Sequence, residues 1–363
     1  MDQQYTHRLE KIEAVLEHWL PETPDMNWTA KIFPGLADKV NPPLLRVLTA
    51  PGKDLLSRGG KRWRPLLMTL VCEALGGGDA ALPLVPLVEF CHNASLIHDD
   101  IEDNSDERRG KPAVHIIHGV DAAINSGCFL YFLPLACIDS WAARLCEQAH
   151  LPEQTARDCR ASVYALWAGY LRKLHLGQAI DIHWHRNFDL IPSVDEYFTM
   201  CTLKTGCLAR FAAELGAAVA AMGGAIPASI PTEYLGAAAE KLGVGFQILD
   251  DVKNVTCGIP GKKRGDDVVE GKKSLPVLLF LRRWPEKKEM VFRCLSAARS
   301  GGVCAPEVEE LIQALMAAGV LAEAEERGKT LIAEARENFT APPPGFPFSA
   351  EGSALLGGLV DSI

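Results

Sequence analysis

The sequence predicts an all-α protein: a single large helical bundle around a central cavity. Apolar residues recur mostly at the three- and four-residue spacing of amphipathic helices, whereas the two-residue alternation of strands is scarce. We find no internal repeat and no low-complexity block that would divide the chain. A length of 363 residues is within the reach of one large domain, so we treat 1–363 as one unit.

The chain begins with one predicted helix and a connector, which together occupy residues 1–42. The apolar stripe of this helix consists of Leu9, Ile12, Val15, Leu16 and Leu20. The Pro-containing connector leads to a motif-bearing core at about 43–337, in which helices are predicted at 62–77, 83–104, 120–148, 155–185, 194–223, 231–257, 273–285 and 306–337. The tail 341–363 opens with APPPG, and prolines have no backbone N–H to donate, so we expect a packed loop or a mobile end there.

The composition excludes several classes of protein. Asp and Glu number 46 against 37 Lys and Arg, and a net charge of −9 argues against a nucleic-acid binder, which needs surplus base. The 11 cysteines form no C-x-x-C pair, which argues against a zinc ribbon and a disulfide framework. Charged residues in the first helix argue against a secretory signal, and Pro134 interrupts the most apolar stretch. We therefore expect a cytoplasmic protein with reduced thiols and no membrane span.

An acidic cluster ends the helix predicted at 83–104. Six of the nine residues from Asp99 to Glu107 are acidic, and Asp99 and Asp103 lie one helical turn apart on one face. Like charges at that spacing destabilise a helix by about 0.2–0.5 kcal/mol, and the C-terminal end of a helix prefers cations. A solvated acidic helix end is the simpler interpretation. The functional interpretation needs a counter-ion, and Mg²⁺ fits because it takes carboxylate and phosphate oxygens.

A second acidic cluster lies in FQILDDVKN at 246–254. Asp250 and Asn254 are again one turn apart, and Gln247 lies one turn before Asp250 and Asp251. The preceding residues are apolar, so these carboxylates are expected to face an interior cavity. Two acidic helix ends on facing helices of a bundle can hold a metal–phosphate cluster between them. Together the clusters favour the functional interpretation more than either does alone.

Three basic groups accompany the acidic clusters. The Gly-rich turn GGKRWRP at 59–65 enters a helix and offers backbone N–H groups to an anion. Arg108 and Arg109 follow the first cluster, and further basic residues lie at 262–264 and 272–273. Arg forks onto phosphate oxygens and Lys acts as a point charge, so both suit a diphosphate. A solvated surface patch explains any one group alone, but their position beside both acidic clusters favours a polyphosphate site.

These motifs together resemble those of a known family. From about Arg58 to Pro276 the chain resembles the trans, or class I, isoprenyl diphosphate synthases, most of all the geranylgeranyl diphosphate synthases. The resemblance is carried by GGKRWRP, HNASLIHDDIEDNSDERRGKPAVH, KLHLGQAIDI, the LKTG of 203–206, FQILDDVKN and GKKRGDDVVEGKKSLP. It implies the isoprenoid synthase type of helical bundle, a homodimer, and a Mg²⁺-dependent prenyltransferase. The implied substrates are isopentenyl diphosphate and an allylic diphosphate: dimethylallyl, geranyl or farnesyl.

The resemblance also implies roles for individual residues. The metal ligands would be Asp99 and Asp103 for two Mg²⁺ ions and Asp250 for a third, with Mn²⁺ as a substitute ion. Isopentenyl diphosphate would be bound by Lys61, Arg64, His92 and Arg109. The allylic diphosphate would be surrounded by Arg108, Lys204, Thr205, Gln247, Asn254, Lys262 and Lys272, with Lys263 as the alternative to Lys262. The catalytic set would be Asp99, Asp100, Asp103, Lys204, Thr205, Gln247, Asp250 and Asp251.

The implied chemistry is ionisation, condensation and elimination. The allylic C–O bond ionises, the double bond of isopentenyl diphosphate attacks the allylic cation, and a proton is lost to the departing diphosphate. The protein positions both substrates, stabilises the charge on the diphosphate and excludes water.

Product length is expected to depend on where an apolar tunnel next to Asp99 is closed. Ala94 and Ser95, one turn before the first motif, are small and leave the tunnel open. In the resembling C20 synthases, the positions of Tyr131, Phe132 and His175 form the floor, so we expect a C20 product. C15 and longer products are the alternatives, and Tyr131, Phe132 and His175 as plain core residues are the simpler interpretation.

Two departures from the family pattern and two rival functions stay open. Asp106 and Glu107 place extra acid before Arg108, and Lys253 interrupts the second motif, although off the face of Asp250 and Asn254.

A class I terpene cyclase would need no GGKRWRP turn. A non-catalytic regulatory subunit would be expected to lose aspartates, and both motifs are complete here.

Overall fold

Helices make up almost all of the fold, which confirms the all-α prediction. The computed structural model describes residues 3–148, 150, 152–227, 232–258 and 263–363. The first helices are α1 (Gln3–Trp19), α2 (Met26–Ile32), α3 (Pro42–Ser57), α4 (Trp63–Ala74), α5 (Val85–Glu102), α6 (Val114–His118), α7 (Val120–Phe132), α8 (Leu135–Gln148) and α9 (Glu153–Arg186). They are followed by α10 (Val194–Cys201), α11 (Cys207–Met222), α12 (Glu233–Thr256), α13 (Asp266–Glu270), α14 (Leu275–Arg283), α15 (Lys288–Gly301), α16 (Pro306–Ala317), α17 (Val320–Thr340) and α18 (Ala350–Ser362).

Shorter elements join these helices. Two 3₁₀ segments span Gly78–Leu84 and Pro285–Lys287, and a π-helical turn, Thr202–Gly206, links α10 to α11. After α5, the antiparallel strands β1 (Glu107–Arg108) and β2 (Lys111–Pro112) form a small hairpin, with Arg108 opposite Lys111.

Two apolar cores hold the helices together. The larger core joins α1, α4, α5, α7–α9 and α11 through fully buried residues such as Ile12 and Phe211. The smaller core joins α14–α16 to the C-terminal half of α12 through residues such as Ile248 and Leu278. Because the first half of α12 packs in the larger core and its second half in the smaller one, this helix connects the two.

Three predicted helices are interrupted, and two of the interruptions have a local cause. The segment 120–148 divides into α7 and α8 at Pro134, which has no N–H for the helical ladder. The segment 306–337 divides into α16 and α17 at Gly319, where φ is 69°. The segment 194–223 contains the π-helical turn, which no single residue of the sequence indicates.

The predictions for the two ends of the chain were incomplete. The connector contains α2, whose cap is Asp25, accepting from the Trp28 N–H at 2.7 Å. The tail is a loop only at its start, because Ser349 caps α18 and accepts from the Gly352 N–H at 3.0 Å. The prolines lie only at the start of the tail, and α18 beyond them packs on α4 and α17.

Three helical stretches in the described part of the chain are long and apolar enough, by length and composition, to cross a membrane. They are Gly78–Glu102, Val120–Gln148 and Val194–Met222. In the most apolar part of each stretch, 67%, 50% and 72% is buried inside the protein, respectively. The expectation that the chain has no membrane span stays a prediction.

Candidate active site

A cavity of about 700 Å³ brings both acidic clusters and the basic groups together. Helices α5, α9, α11 and α12 contribute to its lining, together with the turn before α4 and the β-hairpin. The predicted site residues that line it are Lys61, Arg64, His92, Ser95, Asp99, Arg108, Arg109, Tyr131, His175, Lys204, Thr205, Gln247, Asp250, Asp251 and Lys272. Residues from distant parts of the sequence thus meet in one space.

Other predicted site residues lie outside this lining: Ala94, Asp100, Asp103, Phe132 and Asn254. Asp100 and Asp103 contact residues that do line the cavity, as described below. Lys262 falls outside the described residues, so its contact with diphosphate stays a prediction. Its alternative, Lys263, is exposed.

Cations engage the carboxylates of the first cluster. Asp99 accepts from Lys204 Nζ at 3.0 Å and from Arg108 Nη2 at 3.4 Å. Asp103 is buried and accepts from Lys272 Nζ at 2.9 Å. The family resemblance implies that these three cations surround the allylic diphosphate. The carboxylate charge is therefore balanced inside the protein by the groups expected to bind substrate.

Asp100 holds Arg108 in place. Its carboxylate is fully buried and accepts from both Nε and Nη2 of Arg108, the first at 2.8 Å. Burial alone would lower the pKa of Arg108, but the charges of Asp100 and Asp99 raise it. Asp100 thus orients a cation at the cavity.

Burial raises the pKa of two carboxyls assigned to metal. It raises the pKa of Asp103 to about 7, with Lys272 acting in the opposite direction. It raises the pKa of Asp250 to about 6, where Lys253 is the first opposing cation. Lys272 is buried too, yet the carboxylates of Asp103 and Glu270 raise its pKa. A cation bound beside a carboxyl group with a raised pKa favours its negatively charged form.

Asp250 and Asp251 of the second cluster both line the cavity, but Asp251 is held by hydrogen bonds and Asn254 lies outside the lining. Asp251 accepts from Tyr197 Oη at 2.6 Å, from Gln247 Nε2 at 3.0 Å and from a backbone N–H. Asn254 is fully buried outside the cavity, and its Oδ1 accepts from the Asp267 N–H at 3.1 Å. Asn254 therefore fixes the start of α13, and Asp250 is left as the carboxylate of this cluster best placed for a metal.

The π-helical turn presents Lys204 and Thr205 to the cavity. Lys204 lies between Asp99 and Asp181 of α9 and is paired with both. Thr205 Oγ1 donates to Gln247 Oε1 at 2.9 Å. The turn packs so closely on α9 that a Cβ added to Gly177 would lie 2.4 Å from the Lys204 nitrogen. A glycine at 177 is thus a condition for the position of Lys204.

The pocket predicted for isopentenyl diphosphate is strongly cationic. Arg64 Nη1 lies 3.5 Å from His92 Nε2, and Arg109 also lines the cavity. Burial lowers the pKa of Arg64 and of Arg109 to about 10. Burial and the neighbouring arginines keep the pKa of His92 well below its usual range. Crowded, partly desolvated arginines that remain charged make a binding site for a polyanion.

An aromatic cluster lies in the part of the cavity lined by α5, α7 and α9. The ring of Tyr131 stacks on His98 at 5.8 Å and contacts His175 at 5.1 Å. Phe132, next along α7, is 62% exposed and contacts Trp167, so the structure does not bring it into the cavity. Ala94 is fully buried in the larger core, whereas Ser95 lines the cavity.

Several residues of this site were not among those predicted from the sequence. Gln178 of α9 donates to Asp99 at 3.0 Å and to Glu102 at 2.6 Å. Gln178 and Asp181 lie three residues apart in the motif KLHLGQAIDI, which was the signal for them. Lys253, which we expected off the face of Asp250 and Asn254, lines the cavity together with Asp250, whereas Asn254 does not. His98, beside Asp99, gave no signal because its partners come from α7 and α9.

The extra acids before Arg108 do not enter the cavity. Asp106 and Glu107 are exposed, and neither lines it. The hairpin register places Glu107 opposite Pro112, so alternation along β1 turns Arg108 inward and Glu107 outward.

The donor set fits Mg²⁺ in the form in which a phosphate completes its shell. In the described ranges of the chain, no three His, Cys, Asp or Glu side chains converge into a ready-made cage. Mg²⁺ does not need one, because one or two carboxylates with substrate phosphates and waters suffice. Within the described residues, the buried Oδ1 of Asp103 accepts no hydrogen bond and has His185 Nδ1 at 3.7 Å, so a lone pair is available for a metal.

The chain is similar to known proteins over most of its length. A family model described as polyprenyl synthetase matches residues 45–315. Geranylfarnesyl diphosphate synthase of Aeropyrum pernix is 31% identical over 324 residues, 87% of this chain and 93% of that protein. Geranylgeranyl pyrophosphate synthase of Neocamarosporium betae is 33% identical over 249 residues, 68% of this chain and 65% of that protein.

Solved structures agree with this similarity. Geranylgeranyl pyrophosphate synthetase of Pyrococcus horikoshii superimposes with a TM-score of 0.75 at 26% identity, covering 98% of this chain and 95% of that one. Heptaprenyl diphosphate synthase of Staphylococcus aureus has the same fold, with a TM-score of 0.75 at 23% identity and coverage of 98% and 96%.

Proposed function

Because this chain belongs to the polyprenyl synthetase family and is a trans-prenyltransferase, we propose that it condenses isopentenyl diphosphate with an allylic diphosphate to C20 geranylgeranyl diphosphate. The observation that carries the proposal is the cavity itself, where two sets of cations meet two carboxylate clusters. A terpene cyclase needs only one diphosphate pocket, so the second set of cations argues against it.

The two diphosphates bind to different sets of cations. Isopentenyl diphosphate binds Lys61, Arg64, His92 and Arg109. The allylic diphosphate binds Arg108, Lys204, Thr205, Gln247 and Lys272. Lys253 lines the same cavity, and Lys262 is a further contact expected from the sequence. In this arrangement the first set orients the nucleophilic double bond, and the second set stabilises the leaving group.

Ionisation of the allylic C–O bond builds negative charge on the departing diphosphate. Lys204 and Arg108 are held by Asp99, Asp100 and Asp181, so they meet this charge without reorganising. The aromatic and apolar lining excludes water that would quench the cation. After condensation, the departing diphosphate takes the proton, and no side chain of the protein is needed as the base.

Asp99, Asp103 and Asp250 would hold Mg²⁺, three ions per site, with Asp251 and Asn254 as supports. When bound, Mg²⁺ neutralises the diphosphate and makes it a better leaving group. With metal at Asp99 and Asp103, Lys204 would keep Asp181 and Lys272 would keep Glu270 as partners, so both lysines would stay in place for the substrate.

Product length is set by the aromatic cluster of His98, Tyr131 and His175. Ser95 leaves the tunnel beside α5 open, and the cluster closes it further on. One helical turn rises about 5.4 Å, close to one isoprene unit, so a floor one turn deeper admits one more unit. C15 and longer products are the alternatives.

The proposal is tested by a product assay. Purified protein, Mg²⁺ and labelled isopentenyl diphosphate are combined with C5, C10 or C15 allylic diphosphate, and products are sized by chromatography. A C20 product that disappears on chelation supports the proposal. A C25 or longer product overturns the predicted floor, and no elongation with any primer favours the regulatory-subunit alternative.

We also propose that the chain is a cytoplasmic homodimer. An exposed stripe follows α7 at every fourth residue: Val120, Ile124, Cys128 and Phe132. A continuous apolar stripe of this kind is suited to a second copy of the same helix. All 11 cysteines are free thiols, as a reducing compartment favours.

A further inference from the structure

A buried ion pair holds the turn that carries Lys61. The side chains of Arg62 and Glu89 are only 2% and 3% exposed, and Arg62 Nη1 donates to Glu89 Oε1 at 2.7 Å. Neither residue belongs to the predicted substrate-binding set. An exposed pair of this kind contributes little, but removing one partner of a buried pair strands the other charge.

Arg62 ties the turn to two other parts of the fold. Its Nη2 donates to Leu56 O at the end of α3, at 2.6 Å, and its Nε donates to Glu13 of α1, at 2.7 Å. Arg62 has a left-handed backbone with φ of 48°, which costs a residue with a Cβ about 1–2 kcal/mol. The side-chain bonds hold this conformation, which joins Lys61 in the turn to Arg64 in the first turn of α4.

Glu89 connects the same turn to Arg109. Its Oε1 also accepts from Asn93 Nδ2 at 2.8 Å, and Asn93 Oδ1 accepts from Arg109 Nη1 at 3.4 Å. Arg109 Nη1 in turn donates to Leu55 O at 3.1 Å and to Gly59 O. Arg62 and Arg109 therefore hold neighbouring carbonyls of one turn, and the Glu89–Asn93 pair links the two guanidiniums.

Glu89 also supplies the counter-charge of this pocket. Burial disfavours the charged forms of Arg62, Arg64 and Arg109, and in each case Glu89 is the strongest influence that raises the pKa. One carboxylate therefore serves three arginines that would otherwise repel one another.

We propose that Glu89 and Arg62 are positioning residues for the isopentenyl diphosphate pocket, acting through Lys61, Arg64 and Arg109. The proposal rests on the assignment of that pocket to isopentenyl diphosphate. In the described part of the chain, the side-chain hydrogen bonds of Glu89 and Arg62 go to Glu13, Leu56, Gly59 and Asn93, and to each other, and none goes to a residue assigned to the allylic diphosphate. We therefore expect their loss to affect isopentenyl diphosphate more than the allylic substrate.

The test is calorimetric titration of isopentenyl diphosphate alone, which cannot condense without an allylic partner, together with kinetics in which both substrates are varied. Glu89→Gln keeps the side-chain shape and an acceptor for Arg62 but removes the charge. We expect Kd and KM for isopentenyl diphosphate to rise at least about tenfold, while KM for the allylic substrate changes less than about twofold. Glu13→Gln is the matched control: its side chain is half exposed and Arg62 keeps Glu89, so we expect neither constant to change.

A second set of variants distinguishes a positioning role from a folding defect and from a wrong pocket assignment. If Glu89→Gln does not fold, the double variant Arg62→Met with Glu89→Gln also removes the charge that the single change leaves unpaired in the Arg62–Glu89 pair, and we expect the same selective loss. Equal rises in both KM values would show a general structural role and overturn the proposal. If Lys61→Ala weakens binding of isopentenyl diphosphate but Glu89→Gln and Arg62→Met do not, the positioning role is wrong and the pocket assignment stands. If Lys61→Ala also has no effect, the pocket assignment itself fails.

Discussion

At the scale of single residues, the site keeps carboxyl groups where burial works against their charge. The pKa of Asp103 is raised to about 7 and that of Asp250 to about 6. An acid with a raised pKa binds more protons in the folded protein than in the unfolded chain. Its contribution to stability is therefore lost as pH rises from about 4 to about 7. The proposed metal binding would need the same charged forms, so function and stability would oppose each other here.

Asp103→Asn should raise the melting temperature of the metal-free protein at pH 8 by about 2–4 °C and abolish turnover. The amide removes the buried charge, and Lys272 keeps Glu270 as a partner. Calorimetry in EDTA measures this, and the gain should shrink at pH 5, where wild-type Asp103 is already protonated. Asp106→Asn, on the exposed hairpin, is the control and should change neither quantity. A lower melting temperature at pH 8 would contradict the account.

Tyr131→Ala should lengthen the product by one or more C5 units. The ring contacts both His98 and His175, so its loss opens the floor of the cavity. Chromatographic sizing of products measures the shift, and His175→Ala should act in the same direction. Phe132→Ala, whose ring lies outside the cavity, should not lengthen the main product. An unchanged distribution in Tyr131→Ala would remove this residue from the floor.

At the scale of elements, the position of Lys204 depends on how the π-helical turn meets α9. A Cβ at Gly177 would lie 2.4 Å from the Lys204 nitrogen and 2.6 Å from the Leu203 carbonyl carbon. Gly177→Ala should therefore displace the turn, lower kcat at least about tenfold and destabilise the fold by about 1–3 kcal/mol. Gly169→Ala is the matched control on the same helix, because nothing lies within 4 Å of its added Cβ. Kinetics and chemical denaturation of both variants check this, and equal behaviour of the two would refute it.

The same element shows what the sequence could and could not predict. Spacing alone placed Asp99 and Asp103 on one face of α5, because the helical period fixes which residues share a face. It could not tell Tyr131 from Phe132 on α7, since which neighbour faces the cavity depends on how α7 packs against α5. The π-helical turn and the partners of His98 also arise from packing between helices that are distant in sequence. Local pattern predicted which carboxylates and cations line the cavity, and tertiary contacts determined their hydrogen-bond partners.

At the scale of the whole molecule, one face of α7 lines the cavity and another is exposed on the surface. One face carries Tyr131 into the cavity, and the other carries the exposed stripe at every fourth residue from Val120 to Phe132. Two copies of this stripe related by a two-fold axis would bury each other's apolar side chains. A dimer formed in this way would brace the helix that holds the floor of the tunnel.

Ile124→Arg should convert the protein from a dimer to a monomer of 39.5 kDa. A two-fold axis at the stripe would bring two like charges into a desolvated interface, which costs several kcal/mol. Light scattering after size-exclusion chromatography measures the mass, and Met316→Arg, at an exposed apolar residue of α16, should remain dimeric. Because α7 would lose its brace, the monomer should also give a broader range of product lengths. A wild-type protein that elutes as a monomer at assay concentration would contradict the dimer and leave Tyr131 and its neighbours to hold the floor alone.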